Sequence, residues 1–268
     1  MSWSRKMNWT GSLSLMQAGL LRMGVFYSER RLKIEAGSLY LPKDDELKPR
    51  GDDAHFIYTK KQTIGLADGV GGWTWRGVDA GKYAQQLMTN SLIAFHNQPK
   101  GAVNPKMILR VINIGDSGFM LIRHGKVIYH SRVQQRSFNC PYQLGNTKDH
   151  PSLATELEVE VEEDDIVVVG TDGLLDNLHE SEIKEIINHG PRQLACLLAN
   201  LALYNSFDKK ADTPFAQATR KAGYSCIGGK VDDITVIVAL KKNSENDIHS
   251  GRYDFVLEAA MDDGQCNA

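Results

Sequence analysis

The chain has 268 residues, 42% of them hydrophobic and 24% charged, with a formal net charge of −2. This is the composition of an ordinary globular protein, one sizeable domain with extra segments or two small ones. The charge balance gives no electrostatic footing for nucleic acid. Apolar runs such as 166–169 are far too short to span a bilayer. Four scattered cysteines, Cys140, Cys196, Cys226 and Cys266, contain no CxxC pair. They argue for free thiols and a reducing compartment, and against a zinc site or a disulfide framework.

The first acidic residue is Glu29, and Arg5, Lys6 and Arg22 precede it among several serines. Leu13, Met16, Leu20 and Met23 recur at helical spacing. A basic, acid-free, amphipathic start of this kind reads as a mitochondrial presequence, with a disordered or partner-binding tail as the alternative. Residues 1–37 are therefore expected to be an extension, 38–242 a single catalytic domain, and 243–268 a polar tail.

Within 38–242, residues 55–60 and 62–67 read as strands, the second ending at Asp68-Gly69. Asp79 can cap a helix running to about His96, with Tyr83, Leu87, Leu92 and Phe95 on one stripe. Strands follow at 107–114, 119–123 and 127–130, the last two joined by the hairpin signal His124-Gly125-Lys126. Leu157, Val159 and Val161 alternate with glutamates, as in a half-exposed strand, and 166–169 is a fully apolar one. Helices are expected at 181–188, stopped by Gly190, at 191–204, opened by Pro191, and at 213–222, opened by Pro214. Residues 234–240 form the last strand. Hairpins and short loops between strands, with helices in blocks, define an α+β fold with antiparallel sheets covered by helices.

Four aspartates each flank a strand beside glycine or another aspartate: Asp68, Asp116, Asp172 and Asp232. Antiparallel neighbours place the end of one strand next to the start of the following one, so these side chains can gather on one rim. Gly51-Asp52-Asp53 precedes the first strand of the domain and can join them. Clustered carboxylates raise one another's pKa, and a bound cation relieves this. Hard oxygen ligands select Mg²⁺ or Mn²⁺, and two such ions can bridge a hydroxide and clamp a phosphoryl group. Other chemistries lack their motifs. There is no GxxxxGK[ST] and no GxSxG, and Gly170 stands where a haloacid-dehalogenase loop needs its nucleophilic aspartate. Trp73 and Trp75, beside the glycine-rich stretch 69–72, could line a substrate cleft or simply pack.

The stretches GDDAHF (51–56), GLADGVGGWTWRGVDAGKYA (65–84), NIGDSGFMLIRHGKVIYHS (113–131), QQRSFNCPYQLG (134–145), DDIVVVGTDGLLDNL (164–178) and GGKVDDITVIVA (228–239) stand in an order that resembles the metal-dependent type-2C protein phosphatases, the PPM family, and within it the mitochondrial PTC-seven-like branch. The resemblance implies an antiparallel β-sandwich flanked by helices. It also implies hydrolysis of phosphoserine and phosphothreonine in protein substrates by direct attack of a metal-bridging water. By position, Asp68 resembles the bridge between two Mg²⁺ or Mn²⁺ ions, with the Gly69 carbonyl on the second and Asp172 and Asp232 completing the first. Asp52, or else Asp53, resembles the acid that holds metal-bound water. Asp116 and Asp176 resemble the ligands of a third, weaker metal. Lys48 or Arg50 falls near the family's phosphate-binding arginine, and Asp233 resembles a support for Asp232.

Three departures stand out. Val70 replaces a histidine proposed as general acid. The phosphate-binding arginine has no aligned counterpart. After the helix ending near His96, a second long helix and a central strand are missing before Arg110, which predicts an open sheet. Two further readings follow from these departures, a catalytically impaired pseudophosphatase or binding module, and a phosphatase of small molecules. The expected setting is a monomer without a membrane span, in the mitochondrial matrix or otherwise in the cytoplasm.

Overall fold

A computed structural model describes residues 17–24, 32–97, 108–145, 149–225 and 227–243. Twelve strands are present: β1 (Gln17–Gly24), β2 (Leu32–Leu41), β3 (Ala54–Tyr58), β4 (Thr63–Asp68), β5 (Ile108–Ile114), β6 (Gly118–Arg123), β7 (Lys126–His130), β8 (Gln135–Ser137), β9 (Cys140–Pro141), β10 (Thr155–Glu160), β11 (Ile166–Gly170) and β12 (Ile234–Asn243). Five α-helices accompany them among the described residues: α1 (Ala80–Asn97), α2 (Asp172–Leu175), α3 (Glu180–Glu185), α4 (Pro191–Phe207) and α5 (Pro214–Lys221).

One sheet has the order β10-β5-β1-β4-β3 and the other β2-β12-β11-β6-β7, while β8 and β9 form a separate hairpin. Every pairing is antiparallel. The two sheets face each other, and helices cover the outer faces.

Alternation along the strands builds these layers. On β11, Val167 and Val169 point into the space between the sheets, where they meet Leu66, Val111, Phe119 and Ile237. Val168 points the other way and packs with Leu194, Leu198 and Ala202 of α4. A strand buried on both faces must be apolar at every position, which is why 166–169 lacks the polar alternation seen in β10. On the outer face of the first sheet, Tyr83, Leu87, Met88 and Phe95 of α1 pack with Ala67 and Ile114. At Gly37 a Cβ atom would lie 2.4 Å from the backbone of Arg192, so α4 approaches β2 more closely than any side chain permits.

The sheets reach N-terminal of the boundary expected at 37/38, since β1 belongs to one sheet and β2 to the other. Leu20 and Met23, expected on a helical stripe, lie in β1; tertiary pairing overrides a 3–4 residue periodicity that is also compatible with a short strand. Leu13 and Met16 fall outside the described residues, as do 244–268 of the expected tail. The expected open sheet is also corrected. No helix stands between α1 and β5 among the described residues, but the seat between β4 and β5 is filled by β1. Cys140 is a free, exposed thiol. Cys196 is disulfide-bonded, which corrects its reading as a free thiol, because pairing depends on spatial approach rather than sequence spacing.

Leu198 is fully buried between α4 and the second sheet. Leu198→Ala is expected to lower unfolding free energy by about 2–5 kcal/mol, read from chemical denaturation, because the surrounding helix and sheet close only partly around the cavity.

Candidate metal centre

Asp68 is the last residue of β4, and Asp116 sits in the turn between β5 and β6. Both belong to the end of the first sheet or its exit. Asp172 opens α2 immediately after β11, and Asp232 lies two residues before β12, so these two come from the second sheet. Register explains their meeting, since Gly170 of β11 pairs with Gly118 of β6 and with Val236 of β12. The site is thus the rim at which the two sheets end together.

Oxygens of Asp68, Asp116 and Asp172 lie within 4.8 Å of one another. Asp68 Oδ2, Asp116 Oδ1 and Asp53 Oδ1 are buried without a hydrogen-bond partner among the described residues. Buried carboxylate oxygens are ordinarily satisfied, so three unsatisfied ones at one place fit a hard divalent cation. Burial pushes the Asp68 carboxyl well above its usual range, with repulsion from Asp172, Asp53, Asp116 and Asp232 adding to it. Burial and Asp172 raise Asp116 to about 8, against the pull of Lys230. Asp176 is raised to about 6, chiefly by burial.

The loops that carry these groups are tied down by backbone contacts. Thr171 precedes Asp172; its N–H donates to the Thr235 carbonyl at 3.1 Å, and its hydroxyl accepts from Thr235 N at 3.0 Å. At Gly173 an added Cβ would stand 2.0 Å from the Asp233 carbonyl oxygen, and at Gly69 one would stand 2.3 Å from that of Asp52. Both glycines therefore permit backbone approaches that draw the carboxylates together. Asn113 Nδ2 donates to the Ser117 carbonyl at 3.0 Å across the turn that holds Asp116.

The two aspartates of 51–53 face different partners. Asp52 accepts from Lys48 Nζ at 2.7 and 3.0 Å and from Gly81 N at 3.1 Å. Asp53 accepts from the Thr235 hydroxyl at 2.7 Å, and its carboxyl is raised by burial first and then by Asp233, Asp172 and Asp232. Asp233 turns away from the cluster, accepting from the backbone of Lys43 at 2.8 Å and of Asp52 at 3.0 Å. Arg50 is exposed, and its carbonyl accepts from the Tyr40 hydroxyl at 2.8 Å.

Two cations at the rim went unassigned in the sequence. Lys230 Nζ pairs with Asp172, with Asp176 at 3.1 Å and with Asp232 at 3.4 Å. Its backbone is clamped by Asn177, which accepts from Lys230 N at 2.9 Å and donates to its carbonyl at 2.8 Å. Burial acts to lower the Lys230 pKa, but the three carboxylates outweigh it and hold the ammonium charged. Lys43 Nζ reaches Asp232 at 3.3 Å. A lysine two residues before Asp232 was the available signal, but spacing alone does not show which way it points. Beside the site, Arg76 stacks over Trp73 and Trp75, 4.7 and 4.3 Å from the ring centroids, and Trp73 donates to Gln143 at 3.1 Å. Trp75 itself is 75% exposed.

An acidic rim joins two antiparallel sheets between helical layers, and comparison with known proteins identifies the family. No family profile matches the chain. It is 41% identical over 241 residues to the Arabidopsis thaliana protein named Probable protein phosphatase 2C 55, covering 78% of this chain and 52% of that protein. It is 32% identical over 266 residues to the Protein phosphatase PTC7 homolog fig of Drosophila grimshawi, covering 78% of this chain and 86% of that one. Among solved structures, the photosystem II phosphatase PBCP superposes with a TM-score of 0.69 at 27% identity, over 77% of this chain and 98% of that chain. The catalytic domain of PstP, a complex with two manganese ions, shares the fold with a TM-score of 0.55 at 18% identity, over 79% of this chain and 100% of that one. The chain belongs to the protein phosphatase 2C family. It spans 52% and 61% of two Arabidopsis relatives, and the alignments are longer than the part of this chain they cover, so the relatives carry internal residues that it lacks.

In metal-free protein the raised carboxyls bind protons more tightly when folded than when unfolded. Their contribution to stability is full below the ordinary carboxylate range near pH 4 and is lost as pH rises through about 6 for Asp176 and about 8 for Asp116. The melting temperature in EDTA is therefore expected to fall between pH 5 and pH 8.5. Saturating Mn²⁺ is expected to remove that fall, because deprotonation strengthens metal binding. Thermal melts with and without metal across this range check both halves; a rise with pH in EDTA contradicts the first.

Proposed function

We propose that the protein removes phosphate from phosphoserine and phosphothreonine in protein substrates, using Mg²⁺ or Mn²⁺ at the rim where its two sheets meet. The convergence of Asp68, Asp116 and Asp172, with buried unpaired oxygens, inside a type-2C fold carries this reading. The two manganese ions of the PstP structure support a two-ion centre. When bound, such ions supply an activated water and positive charge for the phosphoryl oxygens.

The chain's own residues hold and shape that centre. Asp68 would serve both ions, the Gly69 carbonyl the second, and Asp172 and Asp232 the first, with Asp116 and Asp176 available to a third. Asp53, with an unpaired oxygen and electrostatic ties to Asp172 and Asp232, suits the orientation of water better than Asp52, which is committed to Lys48 and Gly81. Lys43 and Lys48 flank Gly71, where a Cβ would lie 3.7 and 3.9 Å from their ammonium groups, and both can orient a phosphoryl group. Arg50 remains a second candidate for that task. Val70 has no proton to give, so protonation of the leaving alkoxide would fall to another group or to water at the centre. A binding module is not favoured, because the expected metal ligands are present and the central strand of the sheet has a substitute.

The proposed substrates are phosphorylated proteins, met by a monomer. The basic, acid-free N-terminus and the likeness to a PTC7 homolog support a mitochondrial location. No helix among the described residues is long and apolar enough to cross a membrane.

Hydrolysis of a phosphothreonine peptide is expected with Mn²⁺ and is expected to vanish in EDTA. Asp68→Asn is expected to lower kcat by more than the roughly 10–100-fold typical of groups one shell removed from a metal, with the fold retained in circular dichroism. Turnover indifferent to EDTA, or to Asp68→Asn, would sink the proposal. A fluorescent protein fused behind residues 1–37 is expected to enter mitochondria in cells; uniform cytoplasmic fluorescence would reject the location.

A further inference from the structure

Strand β1 sits in the middle of the first sheet, although it is the first element of the described chain. It makes six register pairs with β4, from Gln17 opposite Asp68 to Arg22 opposite Thr63, and seven with β5, from Ala18 opposite Ile114 to Gly24 opposite Ile108. It therefore lies directly between the strand that ends on Asp68 and the strand that leads, two residues later, to Asp116.

Neighbouring strands are about 4.8 Å apart, so a seated β1 keeps β4 and β5 at two spacings, roughly 9.6 Å. Without β1, two rows of backbone N–H and C=O groups lose their partners. The sheet then has two options. It can stay open at its centre, or β5 can move by one spacing and carry Asp116 about 4.8 Å relative to Asp68. Metal–oxygen distances tolerate only about 0.2 Å. Neither option preserves the carboxylate arrangement observed at the rim.

We propose that residues 17–24 are the strand that sets the metal centre, by fixing the spacing of the strands that carry Asp68 and Asp116. The slot between β4 and β5 accepts this segment of the chain itself, and its seating brings Asp68 and Asp116 into register with Asp172. A cut between residues 24 and 32 followed by loss of the segment disables divalent-metal binding, and any leader removed from an active enzyme ends before residue 17. The inference rests on the metal centre proposed above.

The test places a specific protease site within 25–31 of the full chain. After cutting, the protein that retains its N-terminal piece is expected to bind Mn²⁺ in calorimetry as the uncut chain does. Stripping the piece in mild denaturant is expected to weaken Mn²⁺ binding by roughly tenfold or more, within the range of coupling between linked sites. A synthetic peptide of residues 15–26 is expected to restore it, and the same peptide with Leu20→Pro, which lacks a backbone N–H at the centre of the ladder, is not. Stripped protein that binds Mn²⁺ within twofold of the uncut chain overturns the proposal.

A second measurement needs no cutting. Coupling is reciprocal, so Mn²⁺ bound to the uncut chain is expected to slow amide hydrogen exchange in 17–24 along with 64–67 and 109–113. Slowing at 64–67 without any change in 17–24 also overturns it, even if the stripped chain does not refold. Failure of the uncut chain to bind Mn²⁺ at all rejects the metal reading instead. In that case exchange in metal-free protein decides whether the strand is seated, with protection of 17–24 for it and rapid exchange against it.

Discussion

Mutual repulsion among carboxylates taken out of water at the meeting of two sheets is the constraint around which this molecule is organised. Asp53, Asp68, Asp116, Asp172, Asp176 and Asp232 share one rim, and the first three each bury an oxygen without a hydrogen-bond partner among the described residues. Charges of one sign in a poorly solvated place must be protonated, paired or bound to a cation. The protein uses the second remedy on one side, where Lys230 spans Asp172, Asp176 and Asp232. On the other side Asp68 and Asp116 make no ion pair among the described residues, and it is there that a metal has most to offer. In the proposed centre Lys230 and an incoming ion would draw on the same Asp172 and Asp232, so loading would require the ammonium group to give up part of its pairing.

The rest of the fold serves to hold that unfavourable arrangement in place. Val167, Val169, Phe119 and Ile237 fix the two sheets against each other, and α1 and α4 seal their outer faces. Because interiors are densely packed, the strand ends have little freedom to spread and relieve the repulsion. The glycines at 69 and 173 then let the loops come closer than side chains would allow. Stability gained in the core is thus set against strain at the rim, a division common at functional sites.

Much of this was legible in the sequence, for identifiable reasons. Each aspartate ends or precedes an apolar run, and the two-residue alternation of strands fixes where such runs must stop. The position of Asp68, Asp116, Asp172 and Asp232 on one rim follows from that and from antiparallel connection. Lys230 was not legible, because its direction depends on the clamp made by Asn177, more than fifty residues away in the chain. The separate orientations of Asp52 and Asp53 depend likewise on Lys48, Gly81 and Thr235. Strand β1 was missed for a different reason. Leu20 and Met23 fit a helical stripe as well as a strand, and only the vacant seat between β4 and β5 decides between them. The shortness of the stretch between α1 and β5 was visible; the filling of the seat by β1 was not.

That replacement has a kinetic side. Residues 17–24 leave the ribosome before either of the strands they pair with, 63–68 and 108–114. Sequence-distant pairing of this kind slows folding, because chain entropy is lost before the contacts that offset it form. During that interval the segment is an unpaired, basic, apolar stretch open to whatever recognises it. The same eight residues are therefore a peptide first and the centre of a sheet only later. In such a chain the order of synthesis makes the middle of the sheet wait for both of its neighbours.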